Sequence, residues 1–275
     1  MLVSGRRPRR TLHLHLLLWV TCAVLCAPVL YAMLAATQNN AQLVNFQLWP
    51  GDSLARNFEI VWHNRSLGQF MLNSTVMSLT IALGKTVTAL LAGLAFVYFR
   101  FPGRWLLFFF VLVTLMMPTE ISILALFRIV SGLGWADSLA GLTVPFLASA
   151  TGAFLFRQHF ASLPANLAEA AQLDGASPLQ FLWRVLVPLS WNVIGALTVI
   201  QFLYGWNMYL WPLLLVSDQR DQVVQVGLAT LQQAGQGQLY GPMMLGALIA
   251  SIPPIVVFLV LQRSLMSGLS LPRDK

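Results

Sequence analysis

Apolar residues gather into six long runs separated by polar segments. The runs cover roughly 12–36, 70–98, 105–130, 139–156, 191–216 and 243–265. A helix needs about 20 mostly apolar residues to cross the hydrocarbon core of a bilayer. The pattern therefore predicts an all-α membrane protein of six transmembrane helices in one domain over 12–275, preceded by a basic arm at 1–11. Arg6, Arg7, Arg9 and Arg10 sit in that arm, as they would before a signal peptide. A signal's apolar core is only about 7–15 residues long. The first run exceeds that, so it reads as a retained helix.

Composition agrees. Of 275 residues, 57% are hydrophobic and only 9% are Asp, Glu, Lys or Arg, against about 25% charged in a soluble domain. Too few charges are present to clothe a globular core. A soluble enzyme is excluded, as is a disordered or collagen-like chain. The net charge of +7 would by itself suit a nucleic-acid binder; in a membrane protein it marks the cytoplasmic side. With the N terminus inside, the inner segments hold eleven Lys and Arg: the four in the arm, then Arg100, Arg104, Arg157, Arg184, Arg263, Arg273 and Lys275. The outer segments, 37–69 and 217–240 among them, hold Arg56, Arg65 and Arg220. That bias places both termini in the cytoplasm. Cys22 and Cys26 share a face of the first run, and the four histidines are scattered. No metal-ligand spacing is present.

The longest inner segment, 157–189, parses as two short helices. Residues 165–174 are good helix formers, and Gly175 can take the left-handed conformation that ends a helix. Ser177 then caps a second helix with Pro178 in its first position, and Pro188 marks the start of the fifth run. By three- and four-residue spacing Leu167, Ala170, Ala171 and Asp174 share a side, and Glu169 supplies a carboxylate. Such a slim helix suits a groove on a partner, or a connector lying at the membrane surface.

The order Glu169-Ala170-Ala171, three residues, Gly175, nine residues, Val185-Leu186-Val187-Pro188 resembles the EAA motif of ABC-importer permeases. Val185 and Val187 stand for the usual Ile and Leu. Leu72-Asn73-Ser74, Tyr98-Phe99-Arg100-Phe101-Pro102, Phe154-Leu155-Phe156-Arg157-Gln158 and the stretch from Tyr204 to Pro212 look like carbohydrate-type members of that family. The resemblance implies a type I ABC importer permease fold in a bacterial inner membrane. It implies that Glu169, Ala170, Ala171, Asp174, Gly175 and Pro188 form a coupling segment seated on an ATPase. The partners it implies are a second permease in a heterodimer, two ATP-binding subunits and an extracytoplasmic binding protein. ATP and Mg would be bound by the partner ATPase, with no cofactor in this chain. From about Leu72 onward the chain looks most like permeases of glycerol-3-phosphate importers. That implies a glycerol phosphate or glycerophosphodiester cargo, with a neutral sugar such as maltose or trehalose as the alternative and an ion-driven transporter as a distant one.

The chain carries no nucleotide site of its own. Gly84-Lys85-Thr86 looks like the end of a P-loop, but Leu79 stands where its first Gly belongs. No catalytic constellation is present, so the chain reads as a transport subunit and not an enzyme. The candidate substrate path consists of Lys85 and Glu120 inside the runs, with Tyr204, Asn207 and Trp211 on one face of the fifth. Charges at such depth face a bundle interior or an aqueous path. Lys85 suits either an ion pair with Glu120 or an anionic cargo. Asn207 suits either the path or a bond between helices.

Overall fold

The computed structural model describes residues 12–232 and 239–268, excluding the side chains of Leu12, Thr119, Glu120, Gln232 and residues 265–268. The basic arm 1–11, Arg273, Lys275 and part of segment 217–240 lie outside the described residues. Among the described residues the chain is helical, without strands. The first helices are α1 (Leu12–Ala36), α2 (Asn40–Val44), α3 (Leu54–Glu59), α4 (Leu67–Tyr98), α5 (Arg104–Leu115) and α6 (Thr119–Gly132). There follow α7 (Leu139–Thr143), α8 (Ala150–Ala161), α9 (Asn166–Leu173), α10 (Pro178–Phe181) and α11 (Val187–Leu189). The last are α12 (Trp191–Trp206), α13 (Leu210–Leu215), α14 (Val224–Gln232), α15 (Tyr240–Ala250) and α16 (Ile252–Gly268).

Three helical stretches are long and apolar enough to cross a membrane: His13–Ala36, Leu67–Tyr98 and Tyr240–Ser264. Two bent pairs raise this to five among the described residues. Leu139–Phe146 meets Ala150–Ala161 at 43°, and Pro178–Leu189 meets Trp191–Trp206 at 84°. The run 105–130 is divided between two shorter helices, α5 and α6. Pro118 lies at their junction, where a missing N–H and restricted neighbours stop a helix. The run 191–216 also breaks, at Asn207–Tyr209. Pro212 falls in the first turn of the following α13, where its missing donor costs nothing. Pro253 and Pro254 stand likewise at the start of α16.

The described chain forms two compact units. One comprises residues up to Leu67 together with Leu228–Ala250. In it α1 packs along α15, and the loop after α1 is tied down by buried amides. Gln38 Nε2 donates to the carbonyls of Gln47 at 2.8 Å and Trp49 at 2.6 Å. Asn57 Nδ2 donates to those of Ala36 at 2.9 Å and Gln38 at 3.0 Å. Orphan loop carbonyls thereby find partners inside the protein.

The second unit comprises Gly68–Gly227 and residues from Ser251 onward. Helix α4 runs antiparallel to α12: Thr86 Oγ1 lies 3.4 Å from Thr198 Oγ1, and Ser78 lies against Gly205. A Cβ on Gly205 would come within 2.9 Å of Ser78 Cα. A residue without a side chain is required there, because small residues let membrane helices approach at backbone distance. Helix α12 also packs along α16. At one end of α4, Leu90 and Leu94 join Phe156, Phe160, Phe181, Leu182, Leu186 and Leu197 in a buried cluster.

Candidate functional site

The segment around α9 is shaped by its ends. Gly175 has φ +71°, and its N–H donates to the carbonyl of Gln172 at 3.0 Å. The N–H of Ala176 reaches back to the carbonyl of Ala171 at 2.9 Å. These two bonds make the Schellman stop, in which a left-handed residue lets the last carbonyls of a helix be used. Two residues later Ser177 Oγ accepts from the Gln180 N–H at 3.3 Å, while Gln180 Oε1 accepts from the Ser177 N–H at 2.8 Å. With Pro178 in the first position this is a full capping box. Residues Leu182–Leu186 then form a π-helical turn, and the backbone bends at Ser190 into α12.

The sequence pattern grouped Leu167, Ala170, Ala171 and Asp174 on one side. The structure divides that group. Ala168 and Ala171, with Leu163, pack against the buried cluster. Glu169, Ala170 and Asp174 are exposed, and Leu173 stands out at 89% exposure. Leu173 is four residues after Glu169, a signal visible in the sequence once the inward face is known. On the other side the segment is bolted to the helices: Phe181 meets the Tyr98 ring edge-on at 5.1 Å, and Val193, Ile194 and Leu197 of α12 join the cluster.

The opposite end of α12 lines a cleft of about 390 Å³. Tyr204, Asn207 and Trp211 share its wall with Ile123, Leu126 and Phe146. The break at Asn207–Tyr209 therefore borders a cavity, where irregular backbone is tolerated at membrane depth. Asn207 ends α12. Its Nδ2 donates to the Leu203 carbonyl at 2.9 Å, and its Oδ1 accepts from Gln225 Nε2 at 3.4 Å. It thus both lines the cleft and bridges to α14. Trp211 is 2% exposed and stacks edge-on against Phe146 at 5.6 Å. Its indole N–H lacks an acceptor among the described residues, although buried Trp usually finds one.

Lys85 is buried, at 8% exposure. Its Nζ lies 3.8 Å from the centroid of the Tyr204 ring, and that ring lines the cleft. Side chains lean toward the N terminus of their helix, which lets Lys85 reach a residue one turn beyond its own level. Placing such a charge in a span costs at least about 2.5–3.5 kcal/mol. A desolvated cation–π contact returns about 2 kcal/mol, so the ring offsets only part of that cost. The Glu120 side chain, and with it any pairing to Lys85, lies outside the described residues. The backbone of Glu120 is in the first turn of α6, which supplies Ile123 and Leu126 to the cleft. Arg128, farther along α6, is exposed. Ile123, Leu126 and Phe146 escaped the sequence reading because apolar cleft walls look like any other membrane helix. Among the described residues no three His, Cys, Asp or Glu side chains converge as a metal site would require.

Residues 85–270 match the family model of the binding-protein-dependent transport system inner membrane component. That stretch is well over half of the chain. The chain belongs to that family. It is accordingly a multi-pass permease subunit of an ABC transport system in the inner membrane, and not an enzyme. The sn-glycerol-3-phosphate transport system permease protein UgpE of Escherichia coli (strain K12) is 40% identical over 272 residues, spanning 96% of this chain and 97% of that protein. Among solved structures, a bacterial ABC transporter involved in import of the acidic polysaccharide alginate superposes with a TM-score of 0.80 at 22% identity. The match covers 94% of this chain and 99% of that one. A bacterial alginate ABC transporter in complex with a pentasaccharide-bound periplasmic protein gives 0.64 at 16% identity, covering 95% and 97%. At those identities the likeness establishes the shared permease fold.

Proposed function

We propose that this permease is one half of an ATP-driven importer for sn-glycerol-3-phosphate or glycerophosphodiesters. It spans the membrane six times with both termini in the cytoplasm, as one domain with the coupling segment at 157–189. It pairs with a second permease, sits on two ATP-binding subunits that hold ATP and Mg, and receives cargo from an extracytoplasmic binding protein.

One observation carries the mechanical part. The same helix, α12, packs into the α9–α10 segment at its first turns and lines the cleft at its last. At 1.5 Å per residue its 16 residues make a lever of roughly 24 Å. Glu169, Ala170, Leu173 and Asp174 form the face presented to the ATPase. Gly175 and Pro188 set the turns that hold this face to the lever. Closure of the ATPases would then displace α12 and reshape the cleft, with Lys85, Glu120, Tyr204, Asn207 and Trp211 along the path. The identity to the UgpE relative across nearly both whole chains supports the cargo. An amide, a phenol and an indole N–H beside aromatic faces suit a small polyol.

The test is ATPase activity of the complex in lipid with its binding protein. Stimulation by sn-glycerol-3-phosphate or glycerophosphodiesters, and none by maltose or trehalose, is expected. Stimulation by a neutral sugar alone would reassign the cargo.

A further inference from the structure

The Lys85–Tyr204 contact has a consequence for cargo selection, on the reading of the protein as a glycerol phosphate permease. Lys85 is nine-tenths buried in α4, and the ring that covers its ammonium is itself a wall of the cleft. The charge is thus one aromatic ring away from the cavity without lining it. The contact the structure gives the Lys85 ammonium is this ring, which offsets only part of the burial cost. An ammonium in that position has a stronger partner available in a phosphate dianion, to which lysine binds as a point charge. Tyr204 stands in the last turn of α12, three residues before the break at Asn207.

We propose that Tyr204 is a latch over Lys85. With the ring in place the ammonium is withheld from the cleft. When α12 moves, the ring swings aside and Lys85 engages the phosphate of the cargo. The pair favours phosphorylated over uncharged polyols and keeps the permease from holding an anion in its resting state. No covalent bond is made or broken; the ammonium exchanges its cation–π contact with the ring for a charge-assisted contact with the phosphate.

The experiment uses the complete complex in proteoliposomes with its binding protein. Uptake of radiolabelled sn-glycerol-3-phosphate is measured for wild type, Lys85→Gln, Lys85→Arg, Tyr204→Phe and Tyr204→Leu, alongside subunit assembly. Lys85→Gln is expected to lower uptake at least about tenfold, as for loss of one charge-assisted hydrogen bond, with assembly intact. Lys85→Arg and Tyr204→Phe, which keep the charge and the ring, are expected to stay within a few-fold of wild type. Tyr204→Leu uncovers the ammonium, so its uptake becomes inhibited by sulfate relative to chloride at equal ionic strength, while wild type does not. Full uptake by Lys85→Gln, or failure of that variant to assemble, overturns the latch; the second outcome gives Lys85 a structural role. Sulfate insensitivity of Tyr204→Leu also overturns it. Failure of the wild type to take up glycerol-3-phosphate would instead remove the cargo assignment.

Discussion

Replacing Gly175 isolates one physical effect within this chain, because no other atom of the described residues crowds the site. A Cβ built on this glycine meets nothing within 4 Å, yet its φ is +71°. The cost of a side chain here is therefore conformational alone. An L-residue in the left-handed region loses about 1–2 kcal/mol. Asn is the mild exception, and β-branched residues fare worse than Ala. The alternative to adopting that strain is to unwind the turn. That forfeits the Gly175–Gln172 and Ala176–Ala171 bonds, worth about 1 kcal/mol each. Either way Gly175→Ala shifts the seated turn against the unwound one by about tenfold, and Gly175→Val by more. The assay is ATP-driven uptake and cargo-stimulated ATPase measured on the same vesicles. The uptake obtained per ATP hydrolysed should fall in the order Gly, Asn, Ala, Val. A Val variant coupled as well as the Asn variant would show that the left-handed conformation at position 175 does not govern coupling.

Three other substitutions test the remaining geometry. Leu173→Asp puts a charge on the most exposed apolar side chain of α9; the ATPase subunits should co-purify poorly while the permease still inserts in the membrane. Gly205→Ala forces a contact on the Ser78 backbone and should destabilise the α4–α12 pair by roughly 1–3 kcal/mol, seen as a lower melting temperature in detergent. Asn207→Ala removes both the cap on α12 and the bridge to Gln225; uptake kinetics should change while the complex assembles, and unchanged kinetics would remove Asn207 from the path.

Helical class, membrane character and the α9–α10 turn were legible in the sequence. Gly175, Ser177 and Pro178 each act through local backbone chemistry that depends on no distant contact, so spacing suffices to read them. The continuity of the spans was harder to read. Hydropathy reports which residues avoid water but is blind to the path of the backbone between them, so 105–130 and 191–216 looked like single helices. Prolines carried the missing signal. Pro118, Pro212 and Pro253 each stand at or within the start of a helix that follows a break. The inward face of α9 was hidden for another reason. Ala170 and Ala171 are chemically identical, and only packing against Phe156, Phe160 and their neighbours separates the exposed one from the half-buried one. The covering of Lys85 by Tyr204 joins residues 119 positions apart (204 minus 85). No periodicity reports such a contact.

On the proposed reading, ATP bound by partner subunits drives a glycerol phosphate through this permease. Accumulation of radiolabelled sn-glycerol-3-phosphate in vesicles containing the complex tests it most directly. Uptake should require ATP on the side of the ATPases and the loaded binding protein on the other, and should stop when either is withheld. Uptake that continues without ATP would rule out ATP-driven import, and ATP-driven uptake of a neutral sugar in its place would rule out a glycerol phosphate cargo.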